Sequence, residues 1–116
     1  MGNSLPDLFK VLSDDTRLKI LCLLVQEQEL CVCEFMSALN DSQPKISRHL
    51  ALLKKQQIVV DRKDKQWVFY SIHPSLPDWF RVVLEHTYQS NLDYISESSR
   101  ALQAMGDRPI RQEVCC

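Results

Sequence analysis

The sequence predicts a mainly α-helical chain with one small β-hairpin, folded as one domain. Three observations carry that expectation. Apolar residues recur at helical spacing over most of the chain. One stretch, from Ile58 to Ser71, departs from that spacing: Ile58, Val59, Val60 and then Trp67, Val68, Phe69 and Tyr70 are β-branched or aromatic, and they flank the polar link Lys63, Asp64, Lys65. A length of 116 residues is enough for one hydrophobic core and few for two. An apolar share of 45% and a charged share of 25% are ordinary for a globular chain, which sets aside disordered and fibrous classes. No apolar run nears the roughly 18 residues of a membrane span, so no membrane partner is expected. The start, Met1 to Asp7, lacks the cationic stretch and apolar segment of a secretory signal, which points to a cytoplasmic protein.

Taken in order, Leu5, Leu8, Phe9, Val11 and Leu12 make a short first helix with Pro6 in its first turn. Ser13, Asp14 and Asp15 supply N-caps for a second, whose Leu18, Ile20, Leu21, Leu23, Leu24 and Val25 read as buried, with Cys22 a small core residue among them. Glu27 to Glu29 end it, and Leu30 and Cys31 pass in an extended conformation to a third helix over Glu34 to Leu39. Asn40 and Asp41 break the pattern. Ser42 then caps a fourth helix with Pro44 in its first turn and an apolar stripe of Ile46, Leu50 and Leu53. Two helices joined by so short a turn make a helix-turn-helix, and a hairpin directly after it makes a winged helix-turn-helix. Its tip has no glycine, so Asp64 is expected to take the turn. One long helix is expected over Leu76 to Met105. Its large aromatics, with no later element to cover them, predict a homodimer through the N- and C-terminal helices. Residues 1–105 form the domain, and 106–116 a flexible tail.

The fourth helix turns Gln43, Lys45, Ser47, Arg48 and His49 away from its apolar stripe, and Arg62, Lys63 and Lys65 stand in the wing. Net charge is only −1, which argues against bulk coating of nucleic acid but not against this local basic face. The helix residues have the chemistry to address base edges in double-stranded DNA and the wing cations to hold phosphates or the minor groove, with a dimer reading an inverted repeat.

Five cysteines are present, as Cys22, the pair Cys31 and Cys33, and the adjacent Cys115 and Cys116. In a cytosolic setting clustered thiols more often bind metals or sense redox state than form structural disulfides. The run Glu29 to Glu34, the run Ser42 to Leu50 and the wing from Asp61 to Tyr70 together resemble the ArsR/SmtB family of winged-helix metalloregulators, and within it the arsenical-resistance operon repressors. The resemblance spans Leu5 to about Leu102. It implies a homodimeric repressor, not an enzyme, that needs no cofactor to bind its operator and leaves it when trivalent arsenic or antimony, inorganic or methylated, binds Cys31 and Cys33. The commonest arsenical pattern has a third cysteine where this chain has Met36, so the third ligand is open, with Cys115 and Cys116 as supplementary candidates. Residues two apart on a regular helix point about 200° apart, so Cys31 and Cys33 can chelate only from an irregular helix start. The positive end of the third helix favours thiolate at Cys33.

Other readings compete. Zinc sensors of the family pair Asp and His with His and Glu along the last helix, whereas here Asp78 is followed by Phe80 and His86 has no partner at the required spacing. A cadmium- or lead-responsive thiolate site and a thiol-redox switch remain as alternatives. A thiol oxidoreductase would need an α/β sheet that one hairpin does not provide, and a winged helix that binds only protein would fail to retard promoter DNA.

Overall fold

The computed structural model describes residues 4–107. Six helices and three short strands follow in the order α1 (Leu5–Leu12), α2 (Asp15–Glu27), β1 (Leu30–Cys31), α3 (Val32–Leu39), α4 (Gln43–Lys55), β2 (Val59–Asp64), β3 (Trp67–Ile72), α5 (Asp78–Ser90), a 3-10 turn (Leu92–Ile95) and α6 (Ser96–Ala104). α2 is the axis of the core. Ile20 to Leu24 are all buried in succession, so this helix is covered on every side. Asp14 starts it by accepting the Arg17 N–H at 3.0 Å. Cys22 lies within that run at 2% exposure, and burial pushes its thiol pKa up, as expected for a core cysteine.

α3 ends at Asn40, which takes the left-handed conformation and donates to Met36 O, a position asparagine tolerates better than most residues. Ser42 then starts α4, accepting the Lys45 N–H at 3.4 Å, and Ile46, Leu50 and Leu53 bury their side chains completely. Phe35 of α3 and Ile58 beyond α4 fill the same core, which holds the helix-turn-helix at a set angle over α2.

The hairpin is present, and it is wider than the sequence reading had it. β2 runs to Asp64 and β3 begins at Trp67, so Lys63 and Asp64 are strand residues and Lys65, at φ 59°, takes the turn in place of Asp64. β1 joins as a third strand, antiparallel to β3, with Leu30 opposite Tyr70 and Cys31 opposite Phe69.

The C-terminal helix differs from expectation. α5 stops at Ser90, Asn91 leaves the helical region, and α6 turns back against α3. The break falls on the polar run Gln89, Ser90, Asn91, and the reversal lets Ile95 and Leu102 enter the core that a straight helix would have carried them past. Gln26 of α2 fastens the two pieces: its Oε1 accepts from Tyr88 Oη at 3.1 Å and from Ser99 Oγ at 2.9 Å.

Candidate thiol site and nucleic-acid interface

Cys31 and Cys33 meet at the start of α3. Cys31 is the N-cap residue, extended at φ −93° and ψ 168°, while Cys33 is already helical. That change of backbone between neighbours removes the divergence a regular helix imposes, and the two Sγ atoms stand 3.6 Å apart. Sulfurs about 2.3 Å from one shared atom, the length of a thiolate bond to zinc, and at roughly right angles would stand about 3.3 Å apart, so the pair needs little movement to share one soft atom. Cys33 is in its disulfide form in this structure, not with Cys31, so chelation by both sulfurs requires prior reduction. Glu34 holds the cap: its fully buried side chain accepts the Cys31 N–H through Oε1 at 2.9 Å, with the Cys31 sulfur facing the Glu34 N–H in return. Sequence reasoning did not single out Glu34. Its signal was a glutamate three residues after the N-cap, disguised because the cap is Cys and not Ser or Thr.

The pair lines a recess of about 280 Å³ with Val32, Met36, Trp67 and Val68 among its walls and Gln43 and Gln66 at its rim. Trp67 Nε1 is buried and has no hydrogen-bond partner among the described residues. Among those residues no three His, Cys, Asp or Glu side chains gather as a metal-binding group. Cys115 and Cys116 lie outside the described residues.

From the thiols the sheet leads to the wing. Cys31, Phe69 and Arg62 occupy one row across β1, β3 and β2. Arg62 stacks over the Phe69 ring at 4.9 Å and grips Glu29, just before β1, with Nε and Nη2 each at 2.7 Å from a carboxylate oxygen. This bidentate pair holds the Arg62 pKa above its ordinary value, first through the hydrogen bonding that Arg62 donates to the Glu29 carboxylate. Arg62 was expected to face phosphate, and here it joins the wing to the thiol strand.

The other sequence candidates fall into three groups. Arg48, Lys63 and Lys65 are exposed and make no ion pair among the described residues. Gln43 and Ser47 lie one turn apart on the outer face of α4, Gln43 Nε2 donating to Ser47 Oγ at 2.8 Å, and Lys45 is tied to Asp41 at 3.1 Å. His49 does not join this face. Its side chain is only 11% exposed and points toward the N-cap of α2, with Nε2 at 4.0 Å from Asp14 Oδ2, and burial holds its pKa below the ordinary value. Lys54 reaches Asp61 at 2.9 Å and braces α4 against β2.

Residues 14–60, from the α2 cap into the wing, match the sequence profile of the bacterial regulatory protein, arsR family. Over 111 residues the chain is 49% identical to the arsenic resistance transcriptional regulator ArsR2 of Pseudomonas putida, an alignment covering 96% of each chain. The chain belongs to the ArsR family. Among solved structures, HlyU of Vibrio cholerae superimposes on this ArsR-family chain with a TM-score of 0.65 and 34% identity, covering 73% of this chain and 88% of that one. The AntR antimony-specific transcriptional repressor does so with a TM-score of 0.59 and 28% identity over 80% and 78%. This ArsR-family protein is thus a winged-helix, DNA-binding transcriptional repressor and not an enzyme. No helix among the described residues is long and apolar enough to cross a membrane.

Proposed function

We propose that this protein is a cytoplasmic, homodimeric repressor that occupies an inverted-repeat operator and leaves it when a trivalent arsenic or antimony species binds Cys31 and Cys33. The observation that carries this reading is the 3.6 Å approach of two sulfurs at the start of α3, the helix that precedes the DNA-reading α4. Two further points support it: the names of similar proteins refer to arsenic resistance and to antimony, and thiolate is the preferred donor for soft metalloids. Cys31 is at once the α3 cap and a β1 residue paired with the wing. A soft atom held by both sulfurs ties the cap residue to the first turn of α3 and so acts on the Glu34 cap and the β1 register together, and a difference in its affinity between this arrangement and the DNA-bound one shifts the population away from the operator. The tail cysteines, Cys115 and Cys116, are candidate supplementary ligands in place of the sulfur that Met36 does not supply as thiolate.

The test is fluorescence anisotropy of reduced protein on DNA from its own promoter, titrated with arsenite and antimonite. Wild type is expected to dissociate, while Cys31→Ser and Cys33→Ser stay bound at concentrations at least about tenfold higher, since loss of one of two chelating sulfurs removes the chelate. A form ending at Asp107 that fails to respond would assign the third ligand to the tail; a wild type that no thiophilic compound releases ends the metalloid reading. The disulfide form of Cys33 favours one alternative, a thiol-redox repressor of the same fold. That reading requires oxidation alone to change operator affinity, reversibly with dithiol.

A further inference from the structure

The wing and the thiol strand are joined unequally. β2 and β3 pair along their whole length, from Val59 opposite Ile72 to Asp64 opposite Trp67, so the wing is one stiff ribbon. β1 pairs with β3 at two positions, Leu30 with Tyr70 and Cys31 with Phe69. Fraying of so short a ladder would absorb a displacement at Cys31 before it reached the wing. Arg62 closes that weak joint. From β2 its side chain lies over Phe69 of β3, 4.9 Å from the ring centre, and holds Glu29, immediately ahead of β1, with Nε and Nη2 each at 2.7 Å. Its Nη1 stands 3.9 Å from Asp64 Oδ2 on its own strand, so the guanidinium is placed from both sides. An ion pair with so exposed a member adds little to stability, and what it contributes is geometry. A planar fork seated on a ring face has a set orientation, and a shift of Glu29 carries Arg62 with it.

We infer that the Arg62 fork on Glu29 is a strap that makes β1 and the wing move as one body, so that the state of the Cys31 and Cys33 pair reaches the wing cations Lys63 and Lys65. This rests on the metalloid reading above and adds its route to DNA. Cys31 belongs to both parts: its Sγ faces that of Cys33 at 3.6 Å, its N–H is held by Glu34, and its backbone lies opposite Phe69, the ring on which Arg62 is stacked. A soft atom held by both sulfurs acts on β1 at that residue. With the strap closed the hairpin follows, and Lys63 and Lys65 leave their register on the operator. With the strap open, β1 yields by itself and the wing stays. The pair is thus a coupling element, neither a ligand nor a DNA contact, and it sets the factor by which the metalloid lowers operator affinity.

The test measures that factor on fully reduced protein, as the ratio of operator affinities by anisotropy without and with saturating arsenite. Arsenite affinity of the DNA-free protein is read separately from As–S absorbance. Glu29→Gln, Arg62→Gln, the double variant and Arg62→Lys are compared with wild type, each checked for an unchanged melting curve. Arg62→Lys keeps the charge of the wing but loses the fork and the planar stack, which separates the strap from the mere loss of a cation near DNA. The coupling factor is expected to fall at least about fivefold in every variant, and no further in the double than in the singles, because one device is lost. Arsenite affinity should stay within about threefold, since neither Glu29 nor Arg62 lines the recess at the thiols. Variants released by arsenite as fully as wild type overturn the inference and leave the metalloid site standing. Loss of arsenite binding along with the coupling overturns it as well, because Glu29 and Arg62 would then shape the site and not relay its state. Coupling kept by Arg62→Lys assigns the effect to charge alone, with the same consequence. If wild type shows no As–S absorbance that depends on Cys31 and Cys33, or stays on the operator, the metalloid reading itself fails and takes the inference with it.

Discussion

At residue scale, position within a turn decides chemistry more than residue type does. Cys31 and Cys33 converge because one is a cap and the other a helical residue, a difference of one backbone state. His49 gives the converse. It sits among the polar residues of α4 and was expected on the DNA face, yet the helical phase that buries Ile46 and Leu50 also carries it toward Asp14. Burial depresses its pKa most; Asp14 opposes that shift, while Arg17, Arg48 and Lys45 add to it. The unfolded chain therefore binds a proton that the folded one refuses. The stability this group contributes is fully present above its ordinary pKa of 6.5 and is lost as pH falls below that value through the folded pKa. Urea midpoints should fall between about pH 7.5 and about pH 5.5, and the fall should be smaller in His49→Gln. The same variant should leave operator affinity within about twofold if the imidazole makes no base or phosphate contact, which gel retardation will measure.

The elements carry the coupling. β1 is two residues long and has no marked strand signature of its own, so the sequence showed only an extended passage there; pairing with β3 makes it part of the wing. The Glu29 to Arg62 clamp is equally invisible from sequence, because 33 residues separate its members. It engages the Arg62 guanidinium within the chain. Glu29→Gln is expected to free that cation, steepening the dependence of log K on log salt by about 0.9, the increment of one added phosphate contact on B-DNA. An unchanged slope in anisotropy titrations at several salt concentrations would mean Arg62 does not reach the backbone even when released. α6 offers a second element-scale expectation. Since Ile95 and Leu102 complete the core of their own chain, truncation after Ser90 should abolish cooperative thermal unfolding followed by circular dichroism, and not merely weaken self-association. A truncated chain that still melts cooperatively near the wild-type temperature would return the C-terminal segment to a purely intermolecular role.

At the scale of the molecule, four of the six exposed large apolar side chains among the described residues belong to α1 and α5. Leu5 and Phe9 of α1 and Trp79 and Val82 of α5 are between 41% and 58% exposed, with the Phe9 and Trp79 rings 6.0 Å apart. Such a patch is what the proposed dimer would bury, now through α1 and α5 in place of one unbroken C-terminal helix. Phe9→Glu with Trp79→Glu should shift sedimentation velocity from dimer to monomer and weaken operator binding by at least about a hundredfold, because half-sites would no longer be joined. A double variant that still sediments as a dimer would place the interface elsewhere. By itself the sequence determined the kind and order of nearly every element, since caps, apolar periodicity and β-branched runs act over a few residues: Asp14 and Ser42 start their helices and the Ile46 stripe faces the core as read. What only the tertiary structure decided was how those elements meet: β1 on the wing, His49 turned inward, Arg62 held by Glu29, α6 folded back, and a recess walled by α3 and β3. Each of these depends on burial and pairing between residues far apart in the chain, where many partners satisfy the same local pattern and only mutual packing selects one.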